Sequence, residues 1–218
     1  TEHSLSASSL TFTSSNWNTA QTITVTGVDD SLIDGDITTT LTATASNTGG
    51  YAGTETATAT LKTSDDDTAG ITIAQASTPL VTTEAGSTAS FTVVLDAKPT
   101  GNVTVSITGD DSTEHQLSSS SLTFTPSNWN TAQTVTVTGV DDSLVDGDIT
   151  TTITATASNT GGYAGTETAT ATLKTSDDDT AGITIDNNGT KDSSGNLLTK
   201  ESGTTSTFTV VLDAKPTG

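Results

Sequence analysis

The sequence predicts an all-β protein built from tandem β-sandwiches. Three observations carry that expectation: a long internal repeat, period-two alternation of apolar residues, and turn-forming clusters between the alternating stretches. Residues 1–73 return 112 positions later as 113–185 with six differences: Ser4/Gln116, Ala7/Ser119, Ser14/Pro126, Ile23/Val135, Ile33/Val145 and Leu41/Ile153. A period this long repeats whole domains, whereas a continuous β-helix would repeat every ~20–30 residues. SFTVVLDAKPTG at 90–101 recurs as TFTVVLDAKPTG at 207–218, an offset of 117, which places a five-residue insertion within 186–203. Cut at the AGITI start, the chain divides into the back of one repeat (1–69), an intact repeat (70–181) and the front of a third (182–218), so it reads as a piece of something longer.

Within the intact repeat the elements follow in order. Residues 70–74 open it and 80–83 continue it; 90–95 put Phe91, Val93 and Leu95 on one face, and 102–108 offer Val103, Val105 and Ile107. Leu122 and Phe124 alternate in 121–125, Val135 and Val137 in 134–138. Ile149, Ile153, Ala155 and Ala157 share a face of 149–157, as do Ala169, Ala171 and Leu173 in 166–174. KPTGN, TGDDS, TGVDD and SNTGG separate these stretches. Half-buried strands rich in β-branched residues, about seven per repeat, predict an immunoglobulin-like sandwich.

Composition narrows the function classes. The chain holds 26 acidic and 6 basic residues, for a net charge of -20. Nucleic acid and anionic membrane surfaces would repel it. No apolar run approaches the ~20 residues of a membrane span, so direct membrane insertion of this segment is not expected. With 0 cysteines, each repeat must hold itself by core burial or by metal. No GxSxG occurs and the intact repeat has a single histidine, His115, so an enzyme is not expected. Trp17 and Trp129 in SNWN are expected as buried core aromatics, Tyr51 and Tyr163 in TGGYAG as packing residues, and His3 and His115 as solvated turn residues.

The acids concentrate at strand ends: Glu84; Asp110 and Asp111; Asp141, Asp142, Asp146 and Asp148; and Asp177, Asp178 and Asp179. Loops of a sandwich gather at its two ends, so groups far apart in sequence can converge there. Converging carboxylates need a counterion, and hard oxygen ligands favour Ca²⁺. The spacing is not that of an EF-hand, because the third position counted from Asp142 is Leu144. The partial copies repeat the pattern in Asp29, Asp30, Asp34, Asp36, Asp65, Asp66 and Asp67, while the last copy holds Glu201 at the position of Glu84. These flanking pieces are expected to be weaker sites, with strand edges open to fraying or to pairing with other chains.

VTTEAGSTASFTVVL, TGVDDSLVDGD and TSDDDTAGITI together resemble the Calx-β domain family in order and spacing, and LTFTPSNWNTAQTVTVTGVDD is similar to its bacterial members. The resemblance covers the intact repeat and, through the repetition, nearly the whole chain. It implies a two-sheet sandwich with several Ca²⁺ ions at one end, beside the next domain. The implied ligands are Glu84, one or both of Asp110 and Asp111, Asp141, Asp142, Asp177, Asp178 and Asp179. Asp146 and Asp148 stand where the family carries a longer acidic stretch, and their DGD spelling departs from it. The expectation is a Ca²⁺-rigidified stalk or spacer of a bacterial surface adhesin, extracellular, with neighbouring repeats as partners and a cell-surface or matrix ligand elsewhere. Two alternatives are a multivalent carbohydrate- or protein-binding module and a calcium sensor attached to a membrane protein. Two Trp, two Tyr and four Phe make an aromatic ligand patch hard to assemble.

Overall fold

A computed structural model describes residues 2–216. The first copy contributes β1 (His3–Leu5), β2 (Val25–Gly27), β3 (Ile37–Thr44) and β4 (Thr56–Thr63). Nine strands follow in the intact repeat: β5 (Ile71–Gln75), β6 (Leu80–Thr83), β7 (Thr88–Leu95), β8 (Val103–Thr108), β9 (His115–Leu117), β10 (Ser121–Phe124), β11 (Gln133–Gly139), β12 (Ile149–Ala157) and β13 (Thr168–Ser176). The third copy adds β14 (Ile183–Asp186) and β15 (Thr209–Leu212). The described residues form no helix.

The nine strands make two sheets, ordered β10-β8-β12-β13-β6 and β5-β7-β11-β9. The two opening stretches go to different sheets: β5 pairs antiparallel with β7, and β6 crosses over to pair parallel with β13. The short β9, which polar alternation hides, adds a further strand. Alternation decides which face is core. In β8, Val103, Val105 and Ile107 are buried, while Thr104, Ser106 and Thr108 face solvent. Phe91, Val93, Leu95, Phe124, Val135, Val137, Ile153 and Leu173 complete the layer between the sheets. Each fully buried aliphatic or aromatic side chain contributes roughly 1.5–3 kcal/mol, so this core stabilises the sandwich without disulfides. Two hydroxyls inside it, on Thr82 and Thr175, satisfy each other across the β6–β13 pair at 3.3 Å.

Tyr163 packs as expected, with its hydroxyl donating to the Ala97 carbonyl at 2.8 Å. Trp129 is half-buried against the core rather than enclosed, and Trp17 is exposed. His115 departs from expectation: it is fully buried, because β9 lies against β11 and the turn from Asp111 folds over it.

Candidate metal centre

One end of the sandwich collects the acidic residues. β6 ends at Thr83, and Glu84 follows with its backbone N–H donating to the carbonyl of Ser176, the last residue of β13. Thus the parallel β6–β13 pair delivers Glu84 directly beside the segment after β13. Oxygens of Glu84, Asp177 and Asp179 lie within 4.8 Å of one another. A second triad with the same spacing joins Glu114, Asp142 and Asp146.

Backbone amides lock the surrounding loops. Asp177 accepts from Gly147 N at 2.7 Å and from Asp179 N at 2.8 Å, and Asp142 accepts from Leu144 N at 2.6 Å. Glu114 is carried on the turn from Asp111 to His115, whose residues 114 and 115 both donate their N–H to the Asp111 carbonyl. Its own carbonyl accepts from Val140, tying the turn to the exit of β11.

Among the described residues no lysine or arginine pairs with a carboxylate of either triad. Glu84 is 1% exposed, and its Oε2, with Glu114 Oε2 and Asp179 Oδ2, is buried without a hydrogen-bond partner among the described residues. Burial pushes the Glu84 carboxyl up to about 7, reinforced by the charges of Asp177, Asp142, Glu114 and Asp146. Glu114 is raised by burial and then by Asp146, Asp111 and Asp142. Asp179 is raised by burial and then by Asp177, Asp178, Asp141 and Asp142. At an effective dielectric constant of about 20, two unit charges 4 Å apart repel by about 4 kcal/mol, so a triad this tight needs a proton or a cation. The all-oxygen donor set and three orphaned carboxylate oxygens fit a hard divalent cation such as Ca²⁺.

The residues expected from sequence separate into groups. Glu84, Asp142, Asp146, Asp177 and Asp179 lie in the two triads. Asp141 and Asp178 stand close enough to raise Asp179. Asp148 instead pairs with Lys174 at 2.5 Å, which holds its carboxyl below the usual range. Asp111 is engaged by the Thr113 hydroxyl at 2.7 Å, and Asp110 lies 3.9 Å from His115 Nε2. The acid that this loop places in a triad is Glu114, which sequence reasoning missed. Its signal was the TEH tripeptide two residues beyond the DD pair, repeated at Glu2.

The first copy rebuilds part of the arrangement. A cavity of about 30 Å³ is lined by Glu2, Asp29, Asp30, Asp34, Asp65, Asp66 and Asp67 among others. Gly35 N donates to Asp65 at 2.7 Å, and Asp36 pairs with Lys62 at 2.5 Å, as Gly147 and Lys174 do in the intact repeat. Glu201 lies exposed in the third copy and joins no acidic triad among the described residues.

No protein family matches the chain, and no curated protein matches it. Among solved structures, the Calx CBD1 domain in its apo form is similar at 18% identity and a TM-score of 0.37, over 50% of this chain and 99% of that one. A PapD-like domain of human CEP192 gives 16% identity and a TM-score of 0.37, over 50% of this chain and 86% of that one. Domains 4–9 of the surface layer protein SbsC give 19% identity and a TM-score of 0.36, over 89% of this chain and 31% of that one. With TM-scores below 0.5 these likenesses carry no argument, and the sandwich stands on the strand order above.

Proposed function

We propose that the chain is a non-enzymatic, calcium-binding repeat segment of the Calx-β kind. In this reading it serves as an extracellular stalk or spacer of a bacterial surface adhesin. The observation that carries the cation is the pair of carboxylate triads with buried, partnerless oxygens and no basic side chain in either. Glu84, Asp177 and Asp179 would hold one ion, Glu114, Asp142 and Asp146 another, with Asp141 and Asp178 on the rim. A bound cation supplies the positive charge the triads lack. The chain's own contribution is to deliver the ligands from four separate segments and to fix them by backbone hydrogen bonds. Ions there would cross-link the ends of β6, β11 and β13, stiffening the end of the repeat that faces its neighbour. At ~1–2 mM free calcium and a dissociation constant of ~10⁻⁴–10⁻³ M, each independent site adds about 0.4–1.8 kcal/mol. The near-identical copies and the Ser/Thr-rich, acidic composition support a surface spacer.

Isothermal titration calorimetry of the full chain with CaCl₂, and with MgCl₂ as control, tests this reading. Saturable calcium binding with magnesium much weaker is expected. Absence of calcium heat at millimolar concentration would leave the acids as turn-forming and solubilising residues.

A further inference from the structure

The acidic loop of each copy also makes contacts that use none of its carboxylates. In the first copy, Leu32 forms a parallel bridge to Lys98 of the next repeat. Ile33 N donates to Lys98 O at 3.1 Å, and Lys98 N donates to Ser31 O at 2.7 Å. Between them, the Ile33 side chain leaves its own copy and packs against the core of the intact repeat. Gly162, at φ +93°, forms one wall of the seat. A Cβ there would lie 2.9 Å from Ile33 O and 3.1 Å from its Cγ2, so only glycine admits both the backbone conformation and the approach. Thr100 N donates to Gly161 O at 2.9 Å, holding that wall to the lysine-bearing segment.

The bridge and one of the two backbone bonds recur one repeat later. Leu144 bridges Lys215, and Lys215 N donates to Ser143 O at 2.7 Å. Val145, the counterpart of Ile33, faces a groove of about 480 Å³ lined by Ala181, Leu212, Ala214, Lys215 and Pro216. These residues are the sequence counterparts of Ala69, Leu95, Ala97, Lys98 and Pro99 in the intact repeat. The five-residue insertion in the third copy lies outside the residues of the bridge. Of the six positions that differ between copies, the joint uses one, and it exchanges Ile for Val, both β-branched and apolar.

We infer that residues 31–33 and 143–145 form an apolar, cation-independent joint through which each repeat docks the next. The partner it fits is another copy of the same repeat. At the first joint specificity comes from a β-branched knob on the acidic loop, set against a glycine wall and a two-hydrogen-bond clamp on the lysine backbone; the second keeps the β-branched residue, the bridge and one bond of the clamp. This goes beyond the calcium reading, because no carboxylate takes part in these contacts.

Amide hydrogen exchange of the full chain in excess EDTA tests the joint independently of cation binding. The Lys98 amide is expected to be protected in the unmodified chain. In Ile33→Asp it should exchange at least tenfold faster, whereas Ile33→Val should stay within about threefold. Amides of Val105 and Ile153 should not change, showing that the intact repeat remains folded. Val145→Asp should act in the same way on Lys215. The inference is overturned if Lys98 exchanges as an unprotected amide in the unmodified chain, or if Ile33→Asp leaves its rate unaltered.

Discussion

Residues 2–69 and 114–181 have nearly the same sequence and opposite fates. Phe12 is 53% exposed and Phe124 is 0% exposed; Tyr51 is 59% exposed and Tyr163 2%. Yet the hairpins agree in register: Ile37 faces Thr63 just as Ile149 faces Thr175, and all eight pairs of β3–β4 recur in β12–β13. Hairpin pairing and loop hydrogen bonds are therefore local properties, written in about thirty residues. Burial is not local, since Phe124 lies inside only because β5 to β8 supply the rest of the sandwich. The same division runs through the candidate site. The loop geometry at Asp65 and Asp177 is shared, but only the intact repeat adds Glu84 from a distant strand.

The comparison breaks most sharply on matched substitutions. Phe124→Ala should cost about 3–5 kcal/mol in the denaturant unfolding of the full chain, whereas Phe12→Ala should change it by no more than about 0.5 kcal/mol. Equal costs would mean that the first copy has a core of its own.

A pH series gives the next largest effect. Glu84 has a folded carboxyl raised from 4.5 to about 7, so the folded state holds its proton more tightly than the unfolded state. In EDTA, stability should therefore be highest below about pH 4.5 as far as this group is concerned, and fall as pH rises from about 4.5 to 7. At 1.36 kcal/mol per unit, the loss is on the order of 3 kcal/mol, read as a melting temperature several degrees lower at pH 8 than at pH 5. In the first copy Asp67 is raised by burial and then by Asp65, Asp66, Asp29 and Asp30, and adds a contribution of the same sign. A flat profile would show that Glu84 is not enclosed as described. Smaller still, Tyr163→Phe removes the hydrogen bond to Ala97 and should cost about 0.5–1.5 kcal/mol, while Tyr51→Phe should be neutral in the same unfolding measurement.

The strands were legible because half-buried sheets alternate, and Val103, Val105 and Ile107 show it plainly. Most of the triad acids were legible because DD and DDD runs stand out against a Thr/Ser background. Glu114 was not, since a single Glu in a polar turn looks solvated until the Asp111 turn closes over it and β11 ties down its carbonyl. His115 was misread for the same reason. Asp148 reads as one more loop acid until the hairpin register places Lys174 opposite Thr150, next but one along the strand. Each miss turns on a neighbour some 25 or more residues away, or on a turn whose closure depends on such a neighbour.

The most direct test of the cation centre is thermal unfolding of the full chain and of Glu84→Gln, each in EDTA and in 2 mM CaCl₂ at pH 8. In EDTA, removing a buried, unpaired charge should raise the melting temperature of Glu84→Gln above that of the unmodified chain. Calcium should raise the melting temperature of the unmodified chain by more than that of Glu84→Gln, because the variant has lost a ligand, so the gap between the two narrows in calcium. If calcium shifts both equally, Glu84 holds no cation and any ion sits elsewhere, as at Glu114, Asp142 and Asp146; if it shifts neither, the acids hold no calcium at all.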